Sequence, residues 1–329
     1  MSYSELRLKL DPLRSKQVLQ DLIVQRTLGQ HEALFGMKYI NAAANGLPYI
    51  HHKEGEKDVY RVYIDSDMPL ITTSDERKKA NFELRRHHWG AGGGFPVLVF
   101  NDGSRWVAAL YRDAGAPSWP DTYTTPSGLS HYLQGQPERA EITSAREFEE
   151  ELVFLDKRNL FTGSLDADGK VKLNWNERDL PRTVVDDKKT LIQVYENGSL
   201  VEESRPFAVG WGTEKDYVTT VVHAYVIHPE LKIPRQEMFL LNGEIVERKQ
   251  TLEFLSRQVA LMNLDDMRNA DRSRALVGLV HYKTAFENDS LQVEESERPF
   301  EDVKMTEPLA AAIRKVRVMG EKEYRLWFS

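Results

Sequence analysis

One charged segment limits the fold of this chain more than any other feature. Residues 138–154 have the residue spacing of an amphipathic helix. At ~100° per residue, Glu147, Glu150 and Glu151 fall within an arc of ~100°. The opposite side carries the apolar residues Ile142, Ala145, Phe148 and Leu152. The sequence therefore predicts a helix with an apolar side turned to the core and three carboxylates gathered on the other side.

The three carboxylates have two interpretations. Carboxylates spaced i, i+3 and i+4 on a helix repel one another, and a hard cation such as Mg²⁺ or Mn²⁺ would turn that repulsion into attraction. Arg146 stands next to them and can hold a carboxylate by a bidentate contact. The alternative is a solvated helix face, because charge runs of this kind are common on protein surfaces.

The segments around this helix contain strand signals. Residues 96–100 and 105–113 flank Asn101-Asp102-Gly103-Ser104, which predicts a hairpin. Further hairpins are expected around Asp168-Gly169 and Asn197-Gly198. The valine-rich run 217–227 predicts a buried strand. A strand is also expected at 59–64, and a strand pair at 237–246 around Asn242-Gly243.

Helices and a link complete the expected elements. The helical spacing predicts helices at 5–35, 74–86, 252–264, 272–286 and 306–318, the last with Pro308 near its start. The run Gly90–Gly94 is interpreted as a flexible link between an N-terminal region and the main domain. It lacks the Lys-Ser/Thr pair that a Walker-type phosphate loop needs.

Composition excludes several classes of function. The 329-residue chain has a net charge of -7 and a pI near 5.8, which disfavours general nucleic-acid binding. It has no cysteine, so disulfides, thiolate zinc sites and cysteine nucleophiles are excluded. Residues 1–14 are charged and form no signal peptide, and no apolar run reaches the ~18–20 residues that span a bilayer. The sequence therefore predicts a cytoplasmic protein with no membrane partner.

The helix and its context resemble the Nudix box. That pattern has Gly, five residues, Glu, seven residues, then Arg-Glu-apolar-any-Glu-Glu-any-Gly-apolar. Here Glu138, seven residues and Arg146 to Leu152 are in register, and Phe154 matches the last apolar position. The Pro126-Ser127-Gly128 segment is similar to the Pro-Gly-Gly that precedes the box, and a hairpin comes before it, as in the family.

The resemblance implies metal-dependent hydrolysis of the pyrophosphate in a nucleoside diphosphate linked to another group. Mg²⁺ or Mn²⁺ would be held by Glu147, Glu150 and Glu151, with Arg146 as their orienting partner and as part of the catalytic set. Glu138 would be an outer ligand or a structural acid. The general base varies within the family, and Glu237, Glu244 and Glu247 are equal candidates.

Contact with a small, nucleotide-like substrate is assigned to two residues. Gly128 begins the loop of the box, and Trp119, in the Pro/Gly-rich loop before it, is the best candidate for stacking on a base. Other tryptophans are expected to pack in the core. No signature of a particular substrate is present, so the substrate stays open.

Two departures from the pattern separate the candidate functions. Nine residues, not five, separate Gly128 from Glu138, and Val153 replaces the glycine near the end of the box. Valine resists the positive φ that such a glycine adopts, so the helix must end differently. The intact pairs Arg146-Glu147 and Glu150-Glu151 favour a hydrolase. The departures favour a non-catalytic Nudix-fold domain that senses a nucleotide or an ADP-ribose-like ligand. A purely structural protein with a solvated acidic helix is the third candidate.

The expected fold is an α/β protein of the α+β type, a Nudix-like α/β/α sandwich with a mixed sheet. Residues 1–90 form an N-terminal extension, helical with a strand. Residues 91–270 form the Nudix-like domain, with a β-hairpin insertion at about 155–215. Residues 271–329 form a C-terminal helical extension. Extensions of this size suit either a homodimer interface or a lid, and both alternatives stay open.

Overall fold

The structure is a computed structural model of the chain. It describes residues 39–40, 47–64, 88–116, 119–129, 132–133, 136–137, 139–156, 164–165, 171–172, 182–196, 198–210, 219–227, 235–242, 257–270, 275–285 and 290–328. The predicted helices at 5–35 and 74–86 lie outside the described residues.

Strands dominate the described part of the chain. They are β1 (Tyr39–Ile40), β2 (Leu47–Glu54), β3 (Lys57–Ile64), β4 (His88–Val99), β5 (Arg105–Arg112), β6 (Thr122–Thr124), β7 (Ser127–Leu129), β8 (Tyr132–Leu133), β9 (Gln136–Pro137), β10 (Leu152–Asp156), β11 (Ser164–Leu165), β12 (Val171–Lys172), β13 (Arg182–Val185), β14 (Thr190–Glu196), β15 (Ser199–Ser204), β16 (Ala208–Gly210), β17 (Thr219–Ile227), β18 (Met238–Asn242), β19 (Arg257–Asn263), β20 (Leu276–Ala285) and β21 (Ser290–Pro299). The helices are α1 (Ala140–Glu151), α2 (Leu264–Asn269), α3 (Glu307–Val318) and α4 (Glu321–Trp327). Short 3₁₀ turns lie at Arg235–Glu237 and Phe300–Asp302.

The fold is mixed α/β, built on one large sheet. Its main path runs β15-β14-β3-β2-β4-β5-β19-β20-β21, and β17 pairs with β4. The pairs β17–β4 and β14–β3 are parallel, whereas the other pairs on this path are antiparallel. The mixed sheet expected from the sequence is therefore confirmed. Within the described part of the chain, no helix has the length and apolar character needed to cross a membrane.

The two faces of the central strands carry different helices. On β4, Phe95 and Val97 belong to a core cluster with Leu309 and Ile313 of α3. Leu98 belongs to a second cluster with residues of α1, among them Phe148. Because side chains alternate along a strand, α1 and α3 cover opposite faces of the sheet.

Several predicted elements are confirmed. The Asp102-Gly103 turn joins β4 and β5 with Gly103 at a φ of 79°, and Gly198 has a φ of 81° in the β14–β15 hairpin. Strands β11 and β12 pair on either side of Asp168-Gly169. The buried strand predicted at 217–227 is β17, the strand at 59–64 is the end of β3, and the helix at 306–318 is α3.

The predicted link at Gly90–Gly94 is wrong, because these glycines lie inside β4. A Cβ on Gly92 would lie 2.7 Å from the backbone nitrogen of Ser144 and 2.8 Å from the carbonyl oxygen of Ala140. Glycine is needed there because helix α1 lies directly on the backbone of the strand. The glycine run therefore marks the contact between helix and sheet.

The helices predicted at 252–264 and 272–286 are also wrong, because strands β19 and β20 occupy their described parts. In β19, Ala260 and Met262 belong to the core cluster on the α3 side, and Val259 and Leu261 belong to the one on the α1 side. A strand buried on both faces shows no apolar alternation, so its sequence is easily taken for a helix.

The structure groups several strands differently from the predicted regions. Of the pair expected around Asn242-Gly243, only the first strand is described: it is β18, which pairs with β10 directly after helix α1. Residues 243–246 lie outside the described residues, so the pair itself stays a prediction. Strand β14, in the predicted insertion, pairs with β3 of the N-terminal region. Strands β20 and β21, in the predicted helical C-terminal region, extend the main sheet. The domain boundaries at 90 and 270 stay predictions.

Candidate functional site

Helix α1 lies across the middle of the sheet with its polar residues partly buried. Its buried residues include Thr143, Ser144, Glu147, Phe148 and Glu151. The hydroxyl of Ser144 donates a hydrogen bond to the carbonyl oxygen of Gly93, which ties the helix to β4. Phe148 is buried as predicted, but Ile142 is 48% exposed. The side of the helix that faces the sheet is therefore turned about the helix axis relative to the predicted apolar side.

The end of α1 explains how the chain accommodates Val153. Leu152, the residue after the helix, has a φ of -120° and a ψ of 122°, and strand β10 begins there. The chain passes directly from helix to strand, without the left-handed residue that a glycine would provide. The helix expected to reach Phe154 therefore ends at Glu151, and valine suits the strand that replaces its last turn.

Two of the three predicted carboxylates are removed from solvent. Glu147 is 7% exposed and Glu151 is 3% exposed, whereas the side chain of Glu150 is 31% exposed. The interpretation of this side as a solvated helix face is wrong for Glu147 and Glu151. Buried carboxylates need compensating donors, because an ionised group loses its hydration when it leaves water.

Arg146 supplies much of that compensation. Its Nη1 donates to Glu147 and, at 3.1 Å, to Oε2 of Glu150. Its Nη2 donates to the carbonyl oxygen of Leu129 in β7 at 3.0 Å. The side chain of Arg146 is only 9% exposed, so these contacts are largely shielded from water. The structure therefore brings Arg146 together with two of the three predicted carboxylates.

Strand β7 packs directly against the acidic side of the helix. The backbone nitrogen of Ser127 donates to Oε2 of Glu151 at 2.7 Å. A Cβ on Gly128 would overlap the carboxylate of Glu147. The resemblance placed Gly128 at the substrate, and the structure places it against Glu147, where it lets strand and helix approach closely.

A pocket of about 190 Å³ opens beside this end of the helix. Its lining combines one acidic and one basic residue, a tryptophan and several hydroxyls: Leu110, Arg112, Trp119, Thr124, Thr125, Ser127, Glu151 and Thr306. Two residues singled out from the sequence, Trp119 and Glu151, therefore share one pocket. The hydroxyl of Thr125 is buried and has no hydrogen-bond partner among the described residues, as expected of a group that meets a ligand or water.

The loop that carries Trp119 has an unusual backbone. Trp119 has a φ of 54° and Asp121 a φ of 53°, on either side of Pro120. Such conformations cost about 1–3 kcal/mol each and persist only where neighbouring contacts hold them. Burial alone would raise the pKa of Asp121, but hydrogen bonds from Arg298 and Tyr111 outweigh it and hold that pKa below its ordinary value.

The remaining predicted residues either lie outside the described residues or are not among those that line the pocket. Glu138, Glu244 and Glu247 lie outside the described residues. Glu237 ends the 3₁₀ turn before β18. Sequence reasoning missed Arg112, Thr125 and Thr306. Only Arg112 could have been found from the sequence. It lies near the end of a predicted strand, and strand alternation places this charged residue on the same face as the apolar Leu110.

The acidic residues of α1 differ from a preformed cation site. Among the described residues, no group of three or more His, Asp and Glu side chains is arranged to hold a metal ion. The donor set at the helix is nevertheless made of carboxylate oxygens, which are the ligands that Mg²⁺ and Mn²⁺ prefer. The donor chemistry fits such an ion, and in this arrangement Arg146 contacts two of the carboxylates.

No protein-family model matches the chain, and no curated protein matches it significantly. The site must therefore be interpreted from its own geometry.

Proposed function

We propose that the chain is a divalent-metal-dependent hydrolase that cleaves the pyrophosphate linkage of a nucleoside diphosphate joined to another group. One observation carries the proposal. Trp119, expected to stack on a base, and Glu151, expected to bind the metal, line the same pocket. An aromatic ring can stack on a base, and a neighbouring carboxylate can bind the Mg²⁺ that accompanies the phosphates of a nucleotide.

The order of the elements supports a Nudix-like α/β/α sandwich. The β4–β5 hairpin leads to β7, then to α1, and β17 returns parallel to β4. Helices α1 and α3 cover opposite faces of that sheet. This is the arrangement that the resemblance to the Nudix box implies.

The carboxylates have distinct parts in the proposed site. Glu151 lines the pocket and is held there by the backbone nitrogen of Ser127. Glu150 is the most exposed of the three, and Glu147 is buried beside Arg146. These three would hold Mg²⁺, which would supply neutralisation of charge on the phosphate oxygens. Arg146 contacts Glu147 and Glu150 and also the carbonyl oxygen of Leu129 in β7, so it would hold the two carboxylates in place.

The other lining residues suit the rest of such a substrate. Arg112 places a guanidinium in the pocket wall, a group that pairs well with phosphate. Trp119 offers a flat apolar surface to a base. The hydroxyls of Thr125 and Thr306 provide donors and acceptors for a sugar or phosphate.

One observation favours a second function, the binding of a nucleotide or ADP-ribose-like ligand without hydrolysis. Arg146 already pairs with Glu147 and Glu150, and no group of three carboxylates is gathered for a metal among the described residues. A ligand-binding domain would need the pocket and the aromatic ring, but not a metal.

Turnover separates the two functions. The protein would be incubated with nucleoside triphosphates, ADP-ribose, dinucleoside polyphosphates and nucleotide sugars, with Mg²⁺ or Mn²⁺, and released phosphate and nucleoside monophosphate would be measured. We expect turnover that falls by about 10²-fold or more in Glu150→Gln and Glu151→Gln, the size typical of lost electrostatic stabilisation. Glu149→Gln makes the same change in the same helix outside the acidic pairs and should retain the activity.

Each other result has a defined meaning. Ligand-dependent stabilisation without turnover across the panel would establish the sensor function instead. Neither turnover nor stabilisation would reject both and leave the acidic helix a structural element. The cytoplasmic location and the homodimer stay predictions, and sedimentation of the purified chain tests the dimer.

A further inference from the structure

The loop bearing Trp119 is held by contacts on the face of the sheet opposite α1. Oδ1 of Asp121 accepts a hydrogen bond from Nη1 of Arg298 at 2.8 Å and one from the hydroxyl of Tyr111 at 2.8 Å. Nζ of Lys304 lies 3.6 Å from the other carboxylate oxygen of Asp121. These contacts reach the loop at one of its two positive-φ residues, two positions from Trp119.

Arg298 comes from a distant part of the chain. It lies in β21, the last strand on the main path of the sheet, opposite Val277 of β20. Its guanidinium also lies 5.7 Å from the ring centroid of Tyr111, so one side chain contacts both Asp121 and the other partner of Asp121. A residue 177 positions beyond Asp121 in sequence therefore anchors the loop.

Tyr111 is itself fixed in a buried aromatic cluster. Its ring centroid lies 4.7 Å from those of Tyr123 and His281. The hydroxyl of Tyr123 and Nε2 of His281 share a hydrogen bond of 2.9 Å, and both residues are buried. Buried, close-packed rings have little freedom to move, so the hydroxyl of Tyr111 is a rigid anchor for Asp121.

The same region is continuous with the pocket. Tyr123 and Thr124 are neighbours in β6 on opposite faces, with Tyr123 in the aromatic cluster and Thr124 in the pocket lining. The hydroxyl of Thr306, also in the lining, donates to that of Thr124 at 2.9 Å. The backbone nitrogen of Thr306 donates to the carbonyl oxygen of Tyr123.

We propose that Arg298, acting through Asp121, is a positioning residue that holds Trp119 in the pocket wall for stacking on a nucleobase. The inference rests on the proposed function and extends it, since it assigns recognition of the base to Trp119. A ligand with a base should depend on the Asp121–Arg298 pair, whereas a bare pyrophosphate should not.

The test compares two probes, ADP and inorganic pyrophosphate, each with Mg²⁺, by titration calorimetry. Arg298→Met should raise the Kd for ADP about tenfold, and Trp119→Ala should do at least as much; tenfold is a typical effect of one lost contact. The Kd for pyrophosphate should stay within about twofold of wild type in both variants. Arg298→Lys, which keeps the charge, should recover part of the ADP affinity.

A double variant shows whether Arg298 acts through Trp119. Because Trp119→Ala already removes the stacking surface, adding Arg298→Met should weaken ADP binding no further. Arg314→Met breaks a different ion pair, with Glu307 in α3, and serves as the matched control with unchanged Kd values. If Arg298→Met does not fold, Asp121→Asn removes the same ion pair with little change of shape.

The outcomes separate the two proposals. Equal loss of ADP and pyrophosphate affinity, or full additivity with Trp119→Ala, overturns the positioning role alone. Unchanged ADP affinity in Arg298→Met overturns it as well. If the wild-type protein acts on the substrate panel but binds ADP no more tightly than pyrophosphate, the positioning role fails and the proposed function stands. If it shows no turnover on the panel and binds neither probe, both fail.

Discussion

At the residue scale, the buried carboxylates are the most informative feature of the molecule. Glu147 and Glu151 lie almost fully out of solvent, where an unpaired carboxylate would be strongly destabilising. Arg146 contacts Glu147, and the backbone nitrogen of Ser127 contacts Glu151. Each carboxylate therefore depends on one particular neighbour, Glu147 on a residue of helix α1 and Glu151 on a residue of strand β7. Small changes in strand β7 should disturb both stability and activity.

Gly128→Ala tests this dependence. The added Cβ overlaps the Glu147 carboxylate, so that carboxylate or the strand must shift. We expect a loss of about 1–3 kcal/mol in the free energy of unfolding, as for other overpacked sites, together with a loss of hydrolysis. Urea denaturation and the turnover assay would measure the two effects. Gly278→Ala, whose Cβ would meet its nearest neighbours only at 3.4 Å or more, is the control; equal stability of the two variants would contradict the prediction.

A buried histidine predicts how stability depends on pH. His223 is 2% exposed, neither ring nitrogen has a partner among the described residues, and burial lowers its pKa to about 4. The unfolded chain takes up the proton near pH 6.5 and the folded chain only near pH 4. The stability that His223 contributes as a neutral group is therefore complete above about pH 6.5 and is lost as the pH falls toward 4, by up to about 1.4 kcal/mol per pH unit.

His223→Leu removes this titration. Urea denaturation between pH 4.5 and 7 should show a smaller dependence of unfolding free energy on pH in the variant than in the wild type. Some dependence should remain, because burial also lowers the pKa of His281 to about 4. Identical slopes for the two proteins would show that His223 does not titrate in this range.

At the element scale, helix α3 is fastened to the sheet by a buried ion pair. Nζ of Lys315 contacts the carboxylate of Asp187 and donates to the carbonyl oxygen of Phe207 at 2.6 Å. Asp187 is 2% exposed and also accepts from the hydroxyl of Thr190 at 2.7 Å. Burial lowers the pKa of Lys315 even though Asp187 opposes that change. The pair joins α3 to the segment before β14.

Asp187→Ala should be strongly destabilising, because it leaves the Lys315 ammonium buried without its counter-charge. We expect a loss of about 3–5 kcal/mol in unfolding free energy, measured by urea denaturation. The double variant Asp187→Ala/Lys315→Met should lose less than the single change, since no buried charge is left unpaired. Arg314→Ala, which breaks a more exposed pair in the same helix, should change stability little. A double variant less stable than Asp187→Ala would refute this account.

At the scale of the whole molecule, the candidate site is assembled from segments far apart in the chain. The pocket takes residues from β5, the loop before β6, β7, the end of α1 and the segment before α3. Parallel pairing of β17 with β4 holds the sheet together beneath α1. A ligand in the pocket would therefore contact several segments at once and should stabilise the fold as a unit.

Thermal unfolding with and without ligand tests this consequence. Mg²⁺ with ADP-ribose at ~100 times Kd should add about 2.7 kcal/mol, a rise of a few degrees in Tm for a protein of this size. A chelator should remove the metal-dependent part of the rise, and Glu151→Gln should show little of it. Glu149→Gln should behave as the wild type. A Tm that is unchanged when metal and nucleotide are added together would count against both proposed functions.

Local signals in the sequence were enough to determine several elements. The Asp102-Gly103 and Asn197-Gly198 turns are predictable because positive φ at those positions requires glycine. Strand β17 and helix α3 are predictable from an unbroken apolar run and from helical spacing with Pro308 at the start. The acidic side of α1, with Arg146 beside it, is visible in the sequence because residues three and four apart share a helix face.

Tertiary structure alone decided how these pieces are combined. The apolar residues of strands β19 and β20 do not alternate with polar ones, so their sequences resemble those of helices. The structure explains this pattern, because both faces of each strand are buried. The glycines of β4 break secondary structure by local propensity, yet they are required where α1 lies on the strand backbone. The burial of Glu147 and the meeting of Trp119, Thr306 and Glu151 depend on contacts between residues distant in sequence. Periodicity reports which side chains share a face, whereas the partner that covers the face is set by the packing of the whole chain.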